Sequence, residues 1–276
     1  MNCKHFVDRG AKHMNRFWVL NGKKTKKYIM LAVAALFTAG IIFIEQNALS
    51  IFSPSSDTFV VQSDADRSSA IYSVETDERK LALTFDISWG QEKAGPILDV
   101  LEQKNVTEAT FFLSSPWAEY HPDIVGRIQE MGFEIGSHGH KHQNYTNLKD
   151  EEIREQILKA HQILKSLTGE TPDLIRLPNG DVDKRVLSIA EQLGYTVIAW
   201  DTDSKDWMNP GVNEIVHNVV SNAHPGDIIL MHASDSSKQT HEALPQIIDQ
   251  LRAEGYQFVT VSELIIGHET DIREQD

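Results

Sequence analysis

Three histidines, His138, His140 and His142, lie within five positions of the sequence. Neutral imidazole is the most common metal ligand, and two histidines four positions apart leave the chain room to aim both rings at one point. The apolar run Phe133–Ile135 before them predicts a buried strand that ends in this polar segment. His138 and His142 are therefore candidate metal ligands, and we expect His140 to point away. A solvated turn is the alternative for so short a motif.

Other polar residues with catalytic potential stand at the ends of further apolar runs. They are Asp86, Arg176, Asp203, Asp206 and His232. The carboxyl ends of parallel strands share one rim of a barrel, and active sites form at that rim. The sequence therefore predicts that these side chains and the two candidate ligands meet in one site.

Short apolar runs alternate with helical patterns from Lys80 onward, which is typical of a parallel sheet covered by helices. The predicted strands are Leu81–Phe85, Thr110–Leu113, Phe133–Ile135, Leu174–Leu177, Thr196–Trp200, Asp227–Met231 and Phe258–Val261. The predicted helices are Glu92–Gln103, His121–Met131, Lys149–Leu167, Lys184–Leu193, Val212–Ala223 and His241–Ala253. We predict an α/β fold, a closed or nearly closed (β/α) barrel of about seven parallel strands, with an open doubly wound sheet as the alternative.

The N-terminus has the pattern of a membrane anchor. Residues 1–27 hold eight lysines and arginines against one aspartate, and the uncharged apolar run Tyr28–Ile44 follows. As a helix this run spans ~26 Å, close to the ~30 Å hydrocarbon core of a bilayer. The positive-inside rule predicts a cytoplasmic segment 1–27, a transmembrane signal anchor 28–44 and an extracytoplasmic body. The alternative is a cleaved signal peptide, although no A-x-A site follows the run.

The remaining chain divides into two predicted parts. Residues 45–79 are predicted to form a linker and an entry hairpin with strands Thr58–Gln62 and Ile71–Val74, and residues 80–276 form the main domain. The net charge is −14, and because the basic residues concentrate before the anchor, the body is acidic. Such a body excludes nucleic-acid binding through the phosphate backbone. The only cysteine, Cys3, precedes the anchor, so the body has no disulfide.

Five motifs, taken in order, resemble those of the polysaccharide deacetylases, the NodB-homology or carbohydrate esterase 4 family. They are Thr84-Phe85-Asp86-Ile87-Ser88, His138-Gly139-His140-Lys141-His142, Arg176-Leu177-Pro178-Asn179-Gly180, Asp203-Ser204-Lys205-Asp206-Trp207 and Leu230-Met231-His232. The resemblance covers about Lys80 to Ile265 and implies a distorted (β/α) barrel that hydrolyses the acetamide of N-acetylated amino sugars.

Catalytic roles are carried over from the family one position at a time. The resemblance implies that Asp86 is the general base and that Arg176 pairs with its carboxylate. It further implies that His232 is the general acid and that Asp206 is its carboxylate partner, which raises the pKa of the imidazole. The implied substrate-binding residues are Trp207, Leu230 and Asn179.

The resemblance also implies a divalent metal, with zinc as the expected ion and His138 and His142 as its ligands. The family's first motif usually has two adjacent aspartates, and the second is the third metal ligand. Here that position is Ile87, which cannot bind a metal. Catalytic zinc usually has three protein ligands, so the sequence predicts an incomplete metal site.

The predicted function is hydrolytic N-deacetylation of an extracytoplasmic amino-sugar polymer, with peptidoglycan as the expected substrate. The resemblance of the anchor and the first motif adds an expected role in spore formation. The expected partners are the glycan polymer and the membrane, with no protein partner assigned. Because of Ile87, the alternative is a catalytically silent glycan-binding module. A phosphoesterase ranks third, since the set has too few carboxylates for a two-metal clamp.

Overall fold

The computed structural model describes residues 69–273. The predicted cytoplasmic segment 1–27, the anchor Tyr28–Ile44 and the strand Thr58–Gln62 lie outside these residues. Among the helices that the structure does describe, none has the length and apolar character needed to cross a membrane.

The described residues alternate between strands and helices along most of their length. The strands are β1 (Ala70–Glu75), β2 (Lys80–Ile87), β3 (Thr110–Leu113), β4 (Glu134–Ser137), β5 (Leu174–Ile175), β6 (Thr196–Ile198), β7 (Thr202–Asp203), β8 (Ile228–His232), β9 (Gln257–Phe258) and β10 (Glu269–Arg273). The helices are α1 (Ala94–Gln103), α2 (Ser115–Tyr120), α3 (Pro122–Glu130), α4 (Asp150–Thr168), α5 (Lys184–Gln192), α6 (Val212–Val220), α7 (Thr240–Ala253) and α8 (Val261–Ile265).

The strands form one curled sheet in the order β10-β1-β6-β5-β4-β3-β2-β8-β7, with β9 paired to the start of β2. Within residues 69–273, every pairing between two of these strands is parallel except that of β1 with β10. The predicted α/β class with a mostly parallel, helix-covered sheet is therefore confirmed. Within residues 69–273 the end strands β10 and β7 are not paired with each other, so no continuous ladder closes the barrel.

The curl of the sheet brings β1 against the segment that leads into β8. Ser73 forms an antiparallel bridge with Asp227, and the Val74 N–H donates to the Gly226 carbonyl at 2.9 Å. A Cβ on Gly226 would stand 2.0 Å from the Val74 carbonyl oxygen, so only glycine permits this approach. Strand β1 thus belongs to the sheet, and the sheet extends N-terminally beyond Lys80, where we predicted the domain to start.

Strand β2 runs through the centre of the domain and separates two environments. Its side chains alternate between the faces of the sheet, as the two-residue period of a strand requires. Leu81, Leu83, Phe85 and Ile87 pack in the apolar cluster beneath the helices, whereas Ala82 packs in the cluster on the opposite, inner face. Asp86 shares the inner face by this alternation, and β2 thereby directs its carboxylate into the curl of the sheet.

Candidate active site

A buried ion pair holds Asp86 at the carboxyl end of β2. Arg176, directly after β5, donates from Nη1 to Asp86 Oδ1 at 2.9 Å and to Thr84 Oγ1 at 2.7 Å, and from Nη2 to the Ala199 carbonyl at 2.8 Å. Its guanidinium also lies 4.3 Å from the centroid of the Phe112 ring, within cation–π distance. Arg176 is fully buried and Asp86 is 4% exposed. Burial alone raises the pKa of Asp86, but the charge and hydrogen bond of Arg176, together with His138 and His232, outweigh burial and hold that pKa below its usual value.

A second buried carboxylate holds His232 at the end of the neighbouring strand β8. Asp206 accepts from His232 Nδ1 at 2.7 Å, from the His232 backbone N–H at 2.8 Å and from Thr240 Oγ1 at 2.6 Å. Burial lowers the pKa of His232, but the hydrogen bond and the charge of Asp206 more than compensate, so that the pKa lies above its usual value. Nδ1 is occupied by Asp206, and Nε2 is therefore the atom that can exchange a proton with a bound molecule.

His138 and His142 face each other beside Asp86, with ring centroids 5.4 Å apart. The Arg176 carbonyl lies 2.8 Å from His138 Nδ1 and can only accept, so Nδ1 carries the proton and Nε2 keeps its lone pair. This Nε2 atom lies 3.9 Å from Asp86 Oδ2. Burial lowers the pKa of His138 to about 4 and also lowers the pKa of His142, so both rings are neutral at pH 7. Neutral imidazole is the form that binds metals.

These side chains surround one pocket of about 390 Å³. Seven of the nine predicted site residues line it: Asp86, His138, His142, Asn179, Trp207, Leu230 and His232. The other two, Arg176 and Asp206, lie behind Asp86 and His232 and hold them. Trp207 is 51% exposed at the rim, Leu230 is buried, and the Asn179 side-chain amide donates to Asn144 Oδ1 at 2.7 Å.

Residues with weaker sequence arguments fall in different places. Asp203 lines the pocket, and its Oδ1 accepts from the backbone N–H of Lys205 at 2.8 Å, so it also braces the loop before Asp206. His140 is buried with its Nδ1 2.8 Å from Ser115 Oγ, and it is not among the residues that line the pocket. The prediction that His140 points away from its two neighbours is therefore confirmed.

The residues present do not complete the three-ligand metal site that the family resemblance implies. His138 and His142 offer two nitrogen donors, but no group of three His, Cys, Asp or Glu side chains within residues 69–273 is arranged to hold a metal ion. Ile87 is fully buried in the apolar cluster under the helices and supplies no donor.

Several residues of the site have no predicted role. Ser88, Trp89, Trp200 and Ser234 also line the pocket, and Thr240 completes the hydrogen bonds of Asp206. Trp89 follows the first motif directly, and an exposed aromatic in a loop after a catalytic strand is a signal that could have identified it. Thr240 lies 34 positions from Asp206, and no local pattern indicates their contact.

Comparison with known proteins agrees with this architecture. Residues 73–198 match the family model described as polysaccharide deacetylase. A peptidoglycan-N-acetylglucosamine deacetylase of Bacillus cereus is 36% identical over 197 residues, which cover 70% of this chain and 92% of that protein.

Solved structures of similar proteins include both an enzyme and a pseudoenzyme. A peptidoglycan N-acetylglucosamine deacetylase crystal structure superposes with a TM-score of 0.67 at 36% identity, covering 70% of this chain and 91% of that one. The structure of a carbohydrate esterase 4 pseudoenzyme from Bacillus anthracis superposes with a TM-score of 0.68 at 29% identity, covering 76% of this chain and 73% of that one. A mutant of this pseudoenzyme has restored enzymatic activity. The identity and coverage of the B. cereus relative show that this chain belongs to the polysaccharide deacetylase family.

Proposed function

We propose that this protein removes acetyl groups from N-acetylated amino sugars of a glycan polymer, and that the polymer is peptidoglycan. One observation carries the proposal. Asp86 and His232 are register partners on adjacent parallel strands, they line one pocket, and each is held by its own buried ionic partner. Peptidoglycan as the substrate is supported by the similarity of this chain to peptidoglycan N-acetylglucosamine deacetylases.

The geometry supports a base and an acid with opposite protonation states. Arg176 keeps Asp86 ionised, so its carboxylate can accept a proton from water as the water oxygen attacks the acetamide carbonyl carbon. Asp206 favours the protonated form of His232. The Nε2 atom of His232 can then donate its proton to the amine nitrogen as the carbon–nitrogen bond breaks. The products are the free amino sugar and acetic acid, which ionises to acetate. Asp86 has then gained a proton and His232 has lost one, and the site resets when Asp86 releases its proton to water and His232 takes one up.

Trp207 and Leu230 support the binding of a sugar in this pocket. Trp207 offers an exposed ring at the rim, and Leu230 offers an apolar surface between Asp203 and Thr84, its register partners on β7 and β2. Ligand pockets typically combine apolar walls with a few placed polar groups. The acetyl methyl group fits against such a wall, while its carbonyl lies within reach of the polar groups.

The test is acetate release by the full chain from N-acetylglucosamine oligomers and from purified peptidoglycan strands. We expect release by the wild-type protein and loss of most of it in Asp86→Asn and His232→Ala, with Lys141→Ala, a change at an exposed cation, as the matched control. Absence of release by the wild-type protein on every substrate, with and without added divalent metal, contradicts the proposal.

A silent glycan-binding module is the second candidate, and Ile87 favours it. The position carries no metal donor, and one similar structure is a pseudoenzyme. If this candidate holds, the full chain binds glycan strands, and Asp86→Asn and His232→Ala change neither binding nor the cellular phenotype. A phenotype in either variant argues for catalysis.

The proposal includes an extracytoplasmic position of the domain, supported by the basic segment before the apolar run Tyr28–Ile44. A role in spore formation is supported by the resemblance of the anchor and the first motif.

If His138 and His142 bind zinc as a pair, the binding is weak, because a third protein ligand is missing from the described residues.

A further inference from the structure

Arg176 lines a second pocket in addition to holding Asp86. We call this space the arginine pocket; it has a volume of about 310 Å³ and lies at β1, β6 and the end of β5, which are neighbours in the sheet. Three residues, Asn179, Gly180 and Trp200, line both this pocket and the catalytic pocket, so the two spaces adjoin. A small molecule formed in the catalytic pocket therefore has a second space within reach.

The guanidinium of Arg176 keeps one donor that has no acceptor in the described part of the chain. Nη1 donates to Asp86 and Thr84, and Nη2 donates to the Ala199 carbonyl. Nε is buried and has no hydrogen-bond partner within residues 69–273. Buried polar groups almost always have a partner, and a cationic donor without one is destabilising. The Nε–H group therefore indicates a ligand with an acceptor oxygen.

Arg176 also sets the charge of the arginine pocket. Among the described residues that line this pocket, Arg176 is the only cation and Asp201 is the only anion. The Asp201 carboxylate lies 3.1 Å from Nε2 of His224, which does not line the pocket, so this negative charge has a partner outside it. Asp86 contacts Nη1, so a ligand at Nε does not compete with Asp86 for the same N–H group. An anionic acceptor is favoured over a cation, because charge-assisted hydrogen bonds from arginine are the strong ones.

The other walls of the arginine pocket are mostly apolar. They are formed chiefly by Leu177, Val182, Val197, Ile198 and Trp200. A sugar ring would leave most of its hydroxyl groups against these walls without hydrogen-bond partners. A ligand with one acceptor end and one short apolar end matches the lining.

We propose that the arginine pocket binds the acetate released by deacetylation, with its carboxylate on Nε of Arg176 and its methyl group against Val182 and Trp200. Acetate is an anionic acceptor with one apolar carbon, and the proposed reaction forms it in the adjoining catalytic pocket. Acetate held in the arginine pocket leaves the catalytic pocket clear for release of the amino sugar. The exposed residues Asn179 and Gly180 line the arginine pocket, so this pocket reaches solvent. This inference rests on the proposed function for the source of the acetate.

The test measures acetate binding directly, so that it does not depend on catalysis. Sodium acetate is titrated into the full chain, and binding is followed by ligand-observed NMR. We expect saturable binding by the wild-type chain, and we expect Val182→Phe to weaken it by about tenfold or more, because the larger ring fills the pocket. Ala199→Leu fills the same pocket and takes the place of Val182→Phe if that variant does not fold.

Two controls separate this site from general effects. Val220→Phe, the same substitution at a half-buried valine that lines neither pocket, should keep the affinity for acetate. Methylammonium, which is similar in size to acetate and opposite in charge, should not bind. The inference is overturned if the wild-type chain and Val182→Phe bind acetate equally, if acetate binding to the wild-type chain does not saturate, or if Val220→Phe loses the same affinity.

Formation of free amine from N-acetylglucosamine oligomers is measured in parallel, which separates this inference from the deacetylase proposal. Acetate binding that depends on Val182, found without amine formation, would keep the arginine pocket as an acetate site and contradict the deacetylase proposal. Amine formation together with acetate binding that Val182→Phe does not change would do the reverse.

Discussion

The buried guanidinium of Arg176 offers the sharpest test of how this site works. We expect Arg176→Met, which removes the charge and keeps much of the side-chain volume, to leave the Asp86 carboxylate buried without its partner. Asp86 is 4% exposed, and the charge of Arg176 is the largest of the effects that lower its pKa against burial. In the variant only His138 and His232 still oppose burial, so the pKa of Asp86 should rise. A larger share of the base is then protonated at any given pH.

The magnitude follows from the cost of breaking a buried ion pair. Removal of one partner typically costs about 3–5 kcal/mol of unfolding free energy. For a domain of this size, ~1 kcal/mol shifts the thermal midpoint by ~2–4 °C, so we expect a decrease of about 6–20 °C at pH 7. The effect depends on pH. The wild-type pKa is depressed, so its stabilisation is present at neutral pH and is lost as the pH falls through that pKa. The variant's penalty disappears when Asp86 is protonated, so the difference between the two proteins narrows toward acid.

The assay is thermal unfolding of both proteins at pH 7 and near pH 4, combined with pH–rate profiles of acetate release. The acid limb of the variant's profile should move to higher pH. Lys141→Ala is the control, because Lys141 is exposed and should contribute under ~1 kcal/mol. The double variant Arg176→Met with Asp86→Asn should be more stable than the sum of the single losses implies, since it leaves no buried charge. The reasoning would be refuted if the unfolding midpoint of Arg176→Met at pH 7 lay within 2 °C of the wild-type value. It would also be refuted if Arg176→Met and Lys141→Ala lowered the midpoint equally.

Three further predictions concern the acid, the metal position and the anchor. Asp206→Asn should lower the pKa of His232, because the substitution removes the carboxylate charge that raises this pKa. The basic limb of the pH–rate profile should therefore move to lower pH. If the basic limb does not move, another group is the acid. Ile87→Asp places a carboxylate in an apolar cluster, so it should lower the thermal midpoint without metal, while added zinc should raise that midpoint more than it raises the wild type's. Equal zinc shifts would show that a carboxylate at position 87 does not reach an ion held by His138 and His142. Fractionation should find the chain with Tyr28–Ile44 attached in the membrane pellet, and a mature protein that begins near Leu49 would show cleavage instead.

The long periodic elements of this fold could be predicted because their own residues encode them. The predicted helix Lys149–Leu167 matches α4 (Asp150–Thr168) to within a residue at each end, and Gly169, in the left-handed conformation at φ 75°, ends it as expected of a C-terminal glycine. The run Phe258–Val261 was wrongly predicted as a single strand, since Val261 begins helix α8. Thr260 Oγ1 accepts from the Glu263 N–H, so the Thr-x-x-Glu spacing was a capping signal that the apolar run concealed.

Short elements escaped prediction for a different reason. Helix α2 (Ser115–Tyr120) spans six residues with a proline in its first turn, too few for a period to be visible, and β7 has only two residues. The ends of the catalytic strands could be predicted because each motif follows its own apolar run. The contact of Thr240 with Asp206 could not be predicted from the sequence, because this contact depends on where α7 begins relative to β8. Only the assembled sheet determines that position.

The placement of the base and the acid on neighbouring strands has a consequence for how this scaffold can diversify. Asp86 and His232 are register partners, so their separation is set by the spacing of parallel strands, about 4.8 Å, and by the backbone hydrogen bonds between β2 and β8. Loop exchange around the pocket should therefore leave the distance between the two reacting groups intact. The segment 88–93 and helix α2 could be replaced by those of a relative to redirect the protein to another polymer. Such chimeras should change which glycan polymer is bound before they change the rate at which the acetamide of a bound polymer is cleaved.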